Sequence, residues 1–326
     1  MTTELDACET AARKALELMK ALESIGAEWF RGDSEVFRFL LAGKIIEGHI
    51  LLSGPPGVGK TTLAKAFGTW CFPEVKRAQM SPDMMPMDLT GGYALDRTTN
   101  SLVLRKGPVF SGCLVADELN RAPGRVHATL LEAMEERQVS IEGETFDLDR
   151  GLTVLATLNP EEVSGTYVIP NALLDRFSID LKIPYPAEER EKDLYRSGGI
   201  RSGMSIRFDE DRRHVFGELN AAVEQVFVAD ELIQFATDLV RHLRSNPQIL
   251  EGPSPRAGLG WLATSKAFAL THGRAFVTAQ DMHDTAIACL SHRIRGARGL
   301  GKGGQGRDRI IQEALSTVPY LSGPSS

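Results

Sequence analysis

Apolar positions in this chain follow two rhythms that change over near Pro186. Over 4–25, Leu5, Cys8, Ala12, Leu16, Met19 and Leu22 recur at helical spacing, and Gly26 is placed to end that helix. Val36, Phe39, Leu40 and Ile46 mark a second helix over 35–46, after a turn at Arg31–Ser34. Gly48–Ser53 is a continuous apolar run expected as a buried strand, and Thr62–Trp70 reads as a helix. Glu74–Met80 alternates weakly and predicts a short strand, whereas Ser81–Thr90, rich in Pro, Met and Asp, excludes a long regular element. Ala94–Phe110 predicts a hairpin turning over Asp96–Asn100. Gly112–Ala116 is a buried-strand run ending on Asp117 and Glu118; the following helix shows Val126, Leu130, Leu131 and Met134 on one face. Gln138–Asp149 predicts a second hairpin around Glu142-Gly143. Leu152–Asn159 and Ser178–Ile183 are further strands. This alternation predicts a three-layer α/β domain with a parallel sheet.

Beyond the linker Pro184-Tyr185-Pro186 the rhythm is helical. Glu188–Tyr195 is polar and helical, and Leu232, Phe235, Ala236, Leu239 and Leu243 form one face of a helix over 229–245. Ser254 and Pro255 supply an N-cap and N1 for a helix running to Gly273, and Thr278–Asp281 resembles a capping box opening a helix to about Ile294. Residues 198–218 carry no readable period. The Gly-rich stretch 296–307 is expected to be flexible, and no internal repeat is visible.

Composition narrows the function classes. A formal charge of −6 argues against a protein whose main business is coating nucleic acid. Four scattered cysteines without a C-x-x-C pair read as reduced, mostly buried thiols of a cytoplasmic protein. The chain has no basic leader followed by an apolar run and no apolar stretch of membrane-spanning length. Seven dispersed histidines without an H-x-x-x-H pair argue against a metal site built on side chains alone.

The strongest chemical signal is Gly54-Pro55-Pro56-Gly57-Val58-Gly59-Lys60-Thr61, which fits G-x-x-x-x-G-K-[ST] between a strand and a helix. Backbone N–H groups and the helix dipole favour an anion there. Gly54 through Thr62 are the expected contacts of a nucleotide triphosphate; Lys60 would reach its outer phosphates and Thr61 would hold Mg²⁺. Asp117 is the second expected metal-supporting residue, and Glu118 the group that polarises a water. The plain alternative for Asp117-Glu118 is an acidic loop after a strand. From spacing alone Asn159 is equally a water-orienting residue or a turn residue before Pro160. Arg176 alone reads more simply as the partner of Asp175 or another acid. Arg256, at the second position of a helix, opposes the dipole and so invites an anion, with a solvated arginine as the simpler alternative.

Taken together these residues resemble the AAA+ ATPases, and within them the MoxR group. Gly54–Thr61 resembles Walker A, and Cys113–Pro123 resembles the MoxR Walker B segment with its trailing Asn-Arg-Ala-Pro. Ala156–Pro160 resembles the sensor-1 strand, Leu174–Phe177 the arginine-finger motif, and Ser254–Ala257 sensor 2. Asp88–Phe110 resembles the helix-2 insert, and Gln138–Asp149 the hairpin before sensor 1. The match runs over about residues 30–295 in the family's order. Leu158, where the family often has Gln, and Gly32-Asp33, where Gly-Gln is usual, depart from the pattern.

The resemblance implies a catalytic set of Glu118, Asn159, Arg176 and Arg256, with Arg176 acting on ATP held by a neighbouring subunit and Arg256 reaching the γ-phosphate from the lid. It implies ATP and Mg²⁺ as cofactors, a homo-oligomeric ring expected to be hexameric, a protein client, and a partner carrying a von Willebrand factor A domain. The hairpins would handle the client. The expected organisation is an N-terminal helical extension (1–30) and an α/β nucleotide-binding core (31–186) with inserts at about 88–110 and 138–149. A smaller all-α lid (187–296) and a flexible tail (297–326) would follow. The function implied is ATP hydrolysis driving chaperone-like remodelling, maturation or activation of a client. A nucleic-acid-dependent motor on the same fold is the alternative, disfavoured by net acidity and by hairpins poor in Lys and Arg. A restriction-type GTPase lacks support because no Asn/Thr-Lys-x-Asp motif is present, and a small-molecule kinase fits neither the Asp-Glu pair nor the helical lid.

Overall fold

The computed structural model describes residues 2–30, 32–162, 164–196, 206, 208–296 and 305–319. The core alternates β1 (His49–Ser53), α3 (Lys60–Cys71), β2 (Val75–Gln79), the first insert, β5 (Cys113–Asp117), α5 (Gly124–Glu135), the second hairpin, β8 (Thr153–Leu158), α6 (Asn171–Leu174) and β9 (Phe177–Lys182). It is preceded by α1 (Thr2–Trp29) and α2 (Glu35–Ile45). The first insert contains α4 (Pro86–Thr90), β3 (Gly91–Asp96) and β4 (Ser101–Lys106); the second hairpin is β6 (Gln138–Ile141) and β7 (Glu144–Asp147). Then come α7 (Glu188–Arg196), α8 (Glu210–Val223), α9 (Asp230–Ser245), α10 (Pro255–Thr271), α11 (Ala279–Leu290) and α12 (Gln305–Thr317).

Five strands pair in parallel in the order β2-β5-β8-β1-β9. β1 and β5 are buried along their whole length, as continuous apolar runs require when helices cover both faces. Alternation divides their side chains between two cores. Ile50, Leu52, Val115, Leu155 and Ile179 face α1–α3 and the later helices, while Leu51, Leu114, Ala116, Val154 and Ala156 face α4, α5 and the second hairpin. The two hairpins turn as the sequence predicts: Asp96 pairs with Ser101, and Ile141 pairs with Glu144 across Glu142-Gly143. Both turn residues of that second pair have positive φ, 50° and 87°, as a two-residue hairpin turn demands.

Two expectations are corrected. Gly26 does not end α1, which continues to Trp29. The glycine is needed for packing: a Cβ there would lie 2.4 Å from the ring of Phe37, which meets Trp29 and Phe30 edge-on. The tail is not wholly flexible either, since α12 occupies 305–317 and buries Ile310, Ile311, Ala314 and Leu315. That apolar stripe outweighs the glycines before it; 297–304 and 320–326 lie outside the described residues. Starting within the stretch without a readable period, α8 buries Phe216, Leu219, Ala222 and Val223, and the Asp209 carboxylate accepts from Asp211 N–H at its start.

The later helices share one apolar cluster with α1–α3 and one sheet face. Trp261 anchors them, its indole N–H donating to Met282 O at 3.1 Å and Thr285 Oγ1 at 3.0 Å. The Thr278–Asp281 capping box forms, and Arg274 clasps Asp281 with two bonds of 2.7 and 2.6 Å. All four cysteines are free and buried; burial pushes the Cys113 thiol up to about 12 and Cys289 to about 11. Among the described residues no helix is long and apolar enough to cross a membrane.

Candidate nucleotide site

The loop after β1 has the backbone that a phosphate cradle needs. Gly54, Gly57 and Gly59 take φ of 149°, 80° and 89°, a region other residues avoid. A Cβ on Gly54 would strike Ile183 O at 2.2 Å, so only glycine lets the end of β9 close against the loop. A Cβ on Gly57 would meet nothing within 4 Å, so the loop opens outward there. Lys60 opens α3, and its ammonium curls over the loop to donate to Gly54 O and Pro55 O, each at 2.6 Å. Burial lowers its pKa, while the charges of Asp117 and Glu118 work to raise it.

Thr61 reaches across to β5, donating to Asp117 Oδ1 at 2.7 Å. Asp117 is the hub of the site. Thr157 of β8 donates to the same oxygen at 2.6 Å, and Arg77 of β2 holds Oδ2 through Nη2 at 2.6 Å and Nε at 3.2 Å. Burial works to raise the Asp117 pKa, but bonds from Thr157, Thr61 and Arg77, with the Arg77 charge, outweigh it and leave the carboxyl below its usual range. Thr157 Oγ1 also accepts from Glu118 N–H at 2.9 Å. That bond helps fix Glu118 in a left-handed conformation, φ 59° and ψ 53°, which aims its side chain away from the strand direction. Asn159 follows β8; its Nδ2 donates to Glu162 Oε2 at 3.4 Å.

These residues fit Mg²⁺ and ATP. A hydroxyl and a carboxylate share one hydrogen bond beside a glycine cradle, a donor set suited to a hard cation that keeps phosphate and water ligands. A cavity of about 620 Å³ lies beside the end of β9 and is walled by Gly32, Asp33, Phe39, Leu181, Tyr185 and Ile287, among others. Its lining of apolar side chains with a few charged ones suits a nucleoside, and the departing Gly32-Asp33 pair stands in its wall.

The two arginines lie elsewhere. Arg176 precedes β9, and Phe177 pairs with His49 at the start of β1, whereas Ser53 at the end of β1 pairs with Lys182. Four residue steps along a strand span about 13 Å, which separates Arg176 from its own phosphate loop. Arg176 ion-pairs with Glu135 at the end of α5, and Arg256 Nη1 lies 3.9 Å from the same carboxylate. Both arginines line one concavity with Asp175, Leu259 and Arg293. His49 braces that end of α5: its Nδ1 accepts from Val154 N–H at 3.0 Å and its Nε2 donates to Met134 O at 3.4 Å. Burial drives the His49 pKa down to about 3, so the ring is neutral. Arg256, expected to reach the γ-phosphate from the lid, is set by its helix beside Arg176, at the strand starts rather than the strand ends.

Sequence reasoning brought Thr61, Asp117, Glu118 and Asn159 to one place but missed Arg77, Thr157, Glu135 and Glu162. Thr157 is a polar residue inside a buried apolar strand, a signal in itself. The others join the site only through tertiary contact.

Residues 49–179 match the family model described as ATPase family associated with various cellular activities (AAA), and residues 241–316 match the AAA lid domain. The protein named chaperone MoxR1 of Mycobacterium tuberculosis is 34% identical over 275 residues, 81% of this chain and 72% of that protein. A protein named MoxR from Methylorubrum extorquens is 32% identical over 318 residues, 88% of each chain. The crystal structure of a candidate ATPase from Cytophaga hutchinsonii superposes with a TM-score of 0.81 at 31% identity, covering 97% of this chain and 98% of that one. At these identities and coverages the chain belongs to the AAA+ ATPases, in the MoxR group.

Proposed function

We propose that the protein hydrolyses ATP between subunits of a homo-oligomeric ring, expected to be hexameric, and uses the cycle to remodel, mature or activate a client protein in the cytoplasm. A partner carrying a von Willebrand factor A domain would connect ring and client. The observation that carries this reading is the division of the charged groups between the two ends of the parallel sheet. The cradle, Asp117 and Glu118 occupy the strand ends, and Arg176 with Arg256 occupies the strand starts about 13 Å away. One subunit holds both halves of a hydrolysis site, each facing a different neighbour.

In that arrangement Gly54–Thr62 would bind the phosphates and Thr61 with Asp117 would hold Mg²⁺. Held by those two residues, Mg²⁺ would supply neutralisation of phosphate charge. Glu118 would orient and deprotonate the attacking water, and Asn159 would contact the γ-phosphate. Arg176 and Arg256 would leave Glu135 for the neighbour's phosphate and stabilise the charge that develops there. The nucleoside would lie in the cavity beside β9. The organisation is then an α/β core over 31–186 preceded by a helical extension over 1–30. A lid follows from 187; we extend it to include α12, which packs on α9 and α11.

Mixing two dead variants tests this. Glu118→Gln and Arg176→Ala rings should each lose turnover, while mixed rings regain it at interfaces pairing an intact Glu118 with an intact Arg176, about a quarter of them at equal ratio. No recovery despite demonstrated subunit exchange would overturn action between subunits.

A further inference from the structure

Arg293 closes the short turn Ser291–Arg293 that follows α11. Its side chain is 4% exposed, far deeper than Arg176 or Arg256 in the concavity that the three share. A guanidinium so buried is costly unless its N–H groups are met. Nη2 donates to Phe177 O at 2.9 Å and to Asp175 O at 3.2 Å. Nη1 donates to Ala257 O and Cys289 O, each at 3.3 Å. Nε stands 3.3 Å from Asp175 Oδ1 without an aligned hydrogen bond, so the side chain grips main-chain carbonyls.

Three of those four carbonyls adjoin the two arginines. Asp175 and Phe177 flank Arg176, and Ala257 follows Arg256. Phe177 O also accepts from His292 Nε2 at 2.8 Å. A peptide carbonyl is fixed in the plane of its own main chain. Bonds on both sides of Arg176 therefore fix the point from which its side chain departs, and the bond to Ala257 does the same for Arg256. One planar fork sets the separation of two arginines from distant parts of the chain, one at the threshold of β9 and one in the first turn of α10. α10 leaves room for that fork, since a Cβ on Gly260 would lie 3.1 Å from Nη1. At this separation both arginines reach one carboxylate, that of Glu135. A terminal phosphate would offer the same two cations three oxygens.

We propose that Arg293 is a positioning residue that joins Arg176 and Arg256 into one two-pronged clamp, so that both meet a neighbouring subunit's phosphate together. The clamp rests on the between-subunit reading above. Arg293 acts only through the two arginines, holding their charges in place before charge develops on the phosphate.

Steady-state ATPase assays and binding of a fluorescent ATP analogue to the full chain test it. Arg293→Lys keeps the charge but cannot hold four carbonyls with one planar fork. It should lower kcat about ten- to a hundredfold, the cost of misplacing a reacting group by about 1 Å. The KM for ATP and the affinity for the analogue should stay within about twofold. Mixed at equal ratio with Glu118→Gln, it should regain about a quarter of wild-type turnover, because some interfaces then pair an intact Glu118 with an intact clamp. Mixed with Arg176→Ala, it should gain nothing over its residual rate, because both changes fall on the same side of the interface. A merely structural defect in the subunit's own nucleotide pocket would give the reverse pattern and weaken analogue binding. Gly260→Ala is the milder second variant: its methyl displaces the guanidinium by a few tenths of an ångström. It should lower kcat about two- to fivefold without lowering the unfolding midpoint. Recovery with Arg176→Ala, or wild-type kcat in folded Arg293→Lys, overturns the clamp alone. So does wild-type kcat in Gly260→Ala if Arg293→Lys does not fold. Failure of the Glu118→Gln and Arg176→Ala mixture overturns the between-subunit reading and the clamp with it.

Discussion

Replacing Thr157 by Val isolates one hydroxyl at the centre of the site. Thr157 is wholly within the core, 2% exposed, and Val occupies nearly the same volume. The hydroxyl donates to Asp117 at 2.6 Å and accepts from Glu118 N–H at 2.9 Å. Losing the bond to a charged acceptor costs about 1.5–3 kcal/mol, and leaving a partly buried N–H unpaired costs about 1–3 kcal/mol. The added methyl returns about 0.8 kcal/mol by burial. The net expectation is about 2–5 kcal/mol of lost stability, read by denaturant unfolding. Function should fall further. With its amide untethered Glu118 has no reason to keep its left-handed backbone, and misplacement on the scale of 1 Å costs about 10²-fold in rate. A steady-state ATPase assay should therefore show kcat down about ten- to a hundredfold, with the KM for ATP changed far less. Thr157→Ser, which keeps the hydroxyl and drops the methyl, should retain most turnover. Wild-type kcat in Thr157→Val, or equal losses in the two variants, would refute the hydrogen-bond argument.

Other predictions address the scaffold. Asp281→Asn should destabilise the protein by about 2–4 kcal/mol at pH 7, because it breaks a buried two-bond clasp with Arg274. Burial works to raise the Asp281 pKa, but Arg274 and Thr278 outweigh it and hold the carboxyl below the ordinary 3.8. The stabilisation is thus fully present above about pH 4 and lost as pH falls through the lower folded value; unfolding midpoints of the two proteins should converge in acid. Gly26→Ala should cost about 1–3 kcal/mol through the Phe37 clash, despite alanine's better helix propensity, and Gly26→Ala combined with Phe37→Leu should recover much of it in the same unfolding assay.

How much the sequence disclosed depended on range. The phosphate cradle, the acidic end of β5 and the capping box of α11 are built from neighbours in the chain, and local pattern was enough for them. Arg77, Glu135 and Thr157 take their roles from contacts between strands and helices that no local window contains. Arg256 shows the same limit more sharply: its cap and helix were legible, but which end of the sheet it faces depends on how α10 lies against α2, α11 and β9. Gly26 was misread because a glycine in a helix marks either an end or a close neighbour, and only Phe37 decides. At α12 the preceding glycines masked a stripe of four buried apolar residues.

β9 has a mechanical consequence. One six-residue strand carries Arg176 at its threshold and Lys182 at its far end, where Lys182 is tied to Asp308 of α12 and lines the cavity beside β9. Paired with β1 on both sides of a register shift at Ser178, β9 is a tie rod of about 17 Å. Under the proposed ring, a displacement imposed at one subunit's nucleotide is passed along it towards the arginine serving the next. The sites would then fire in an order set by the stiffness of an edge strand.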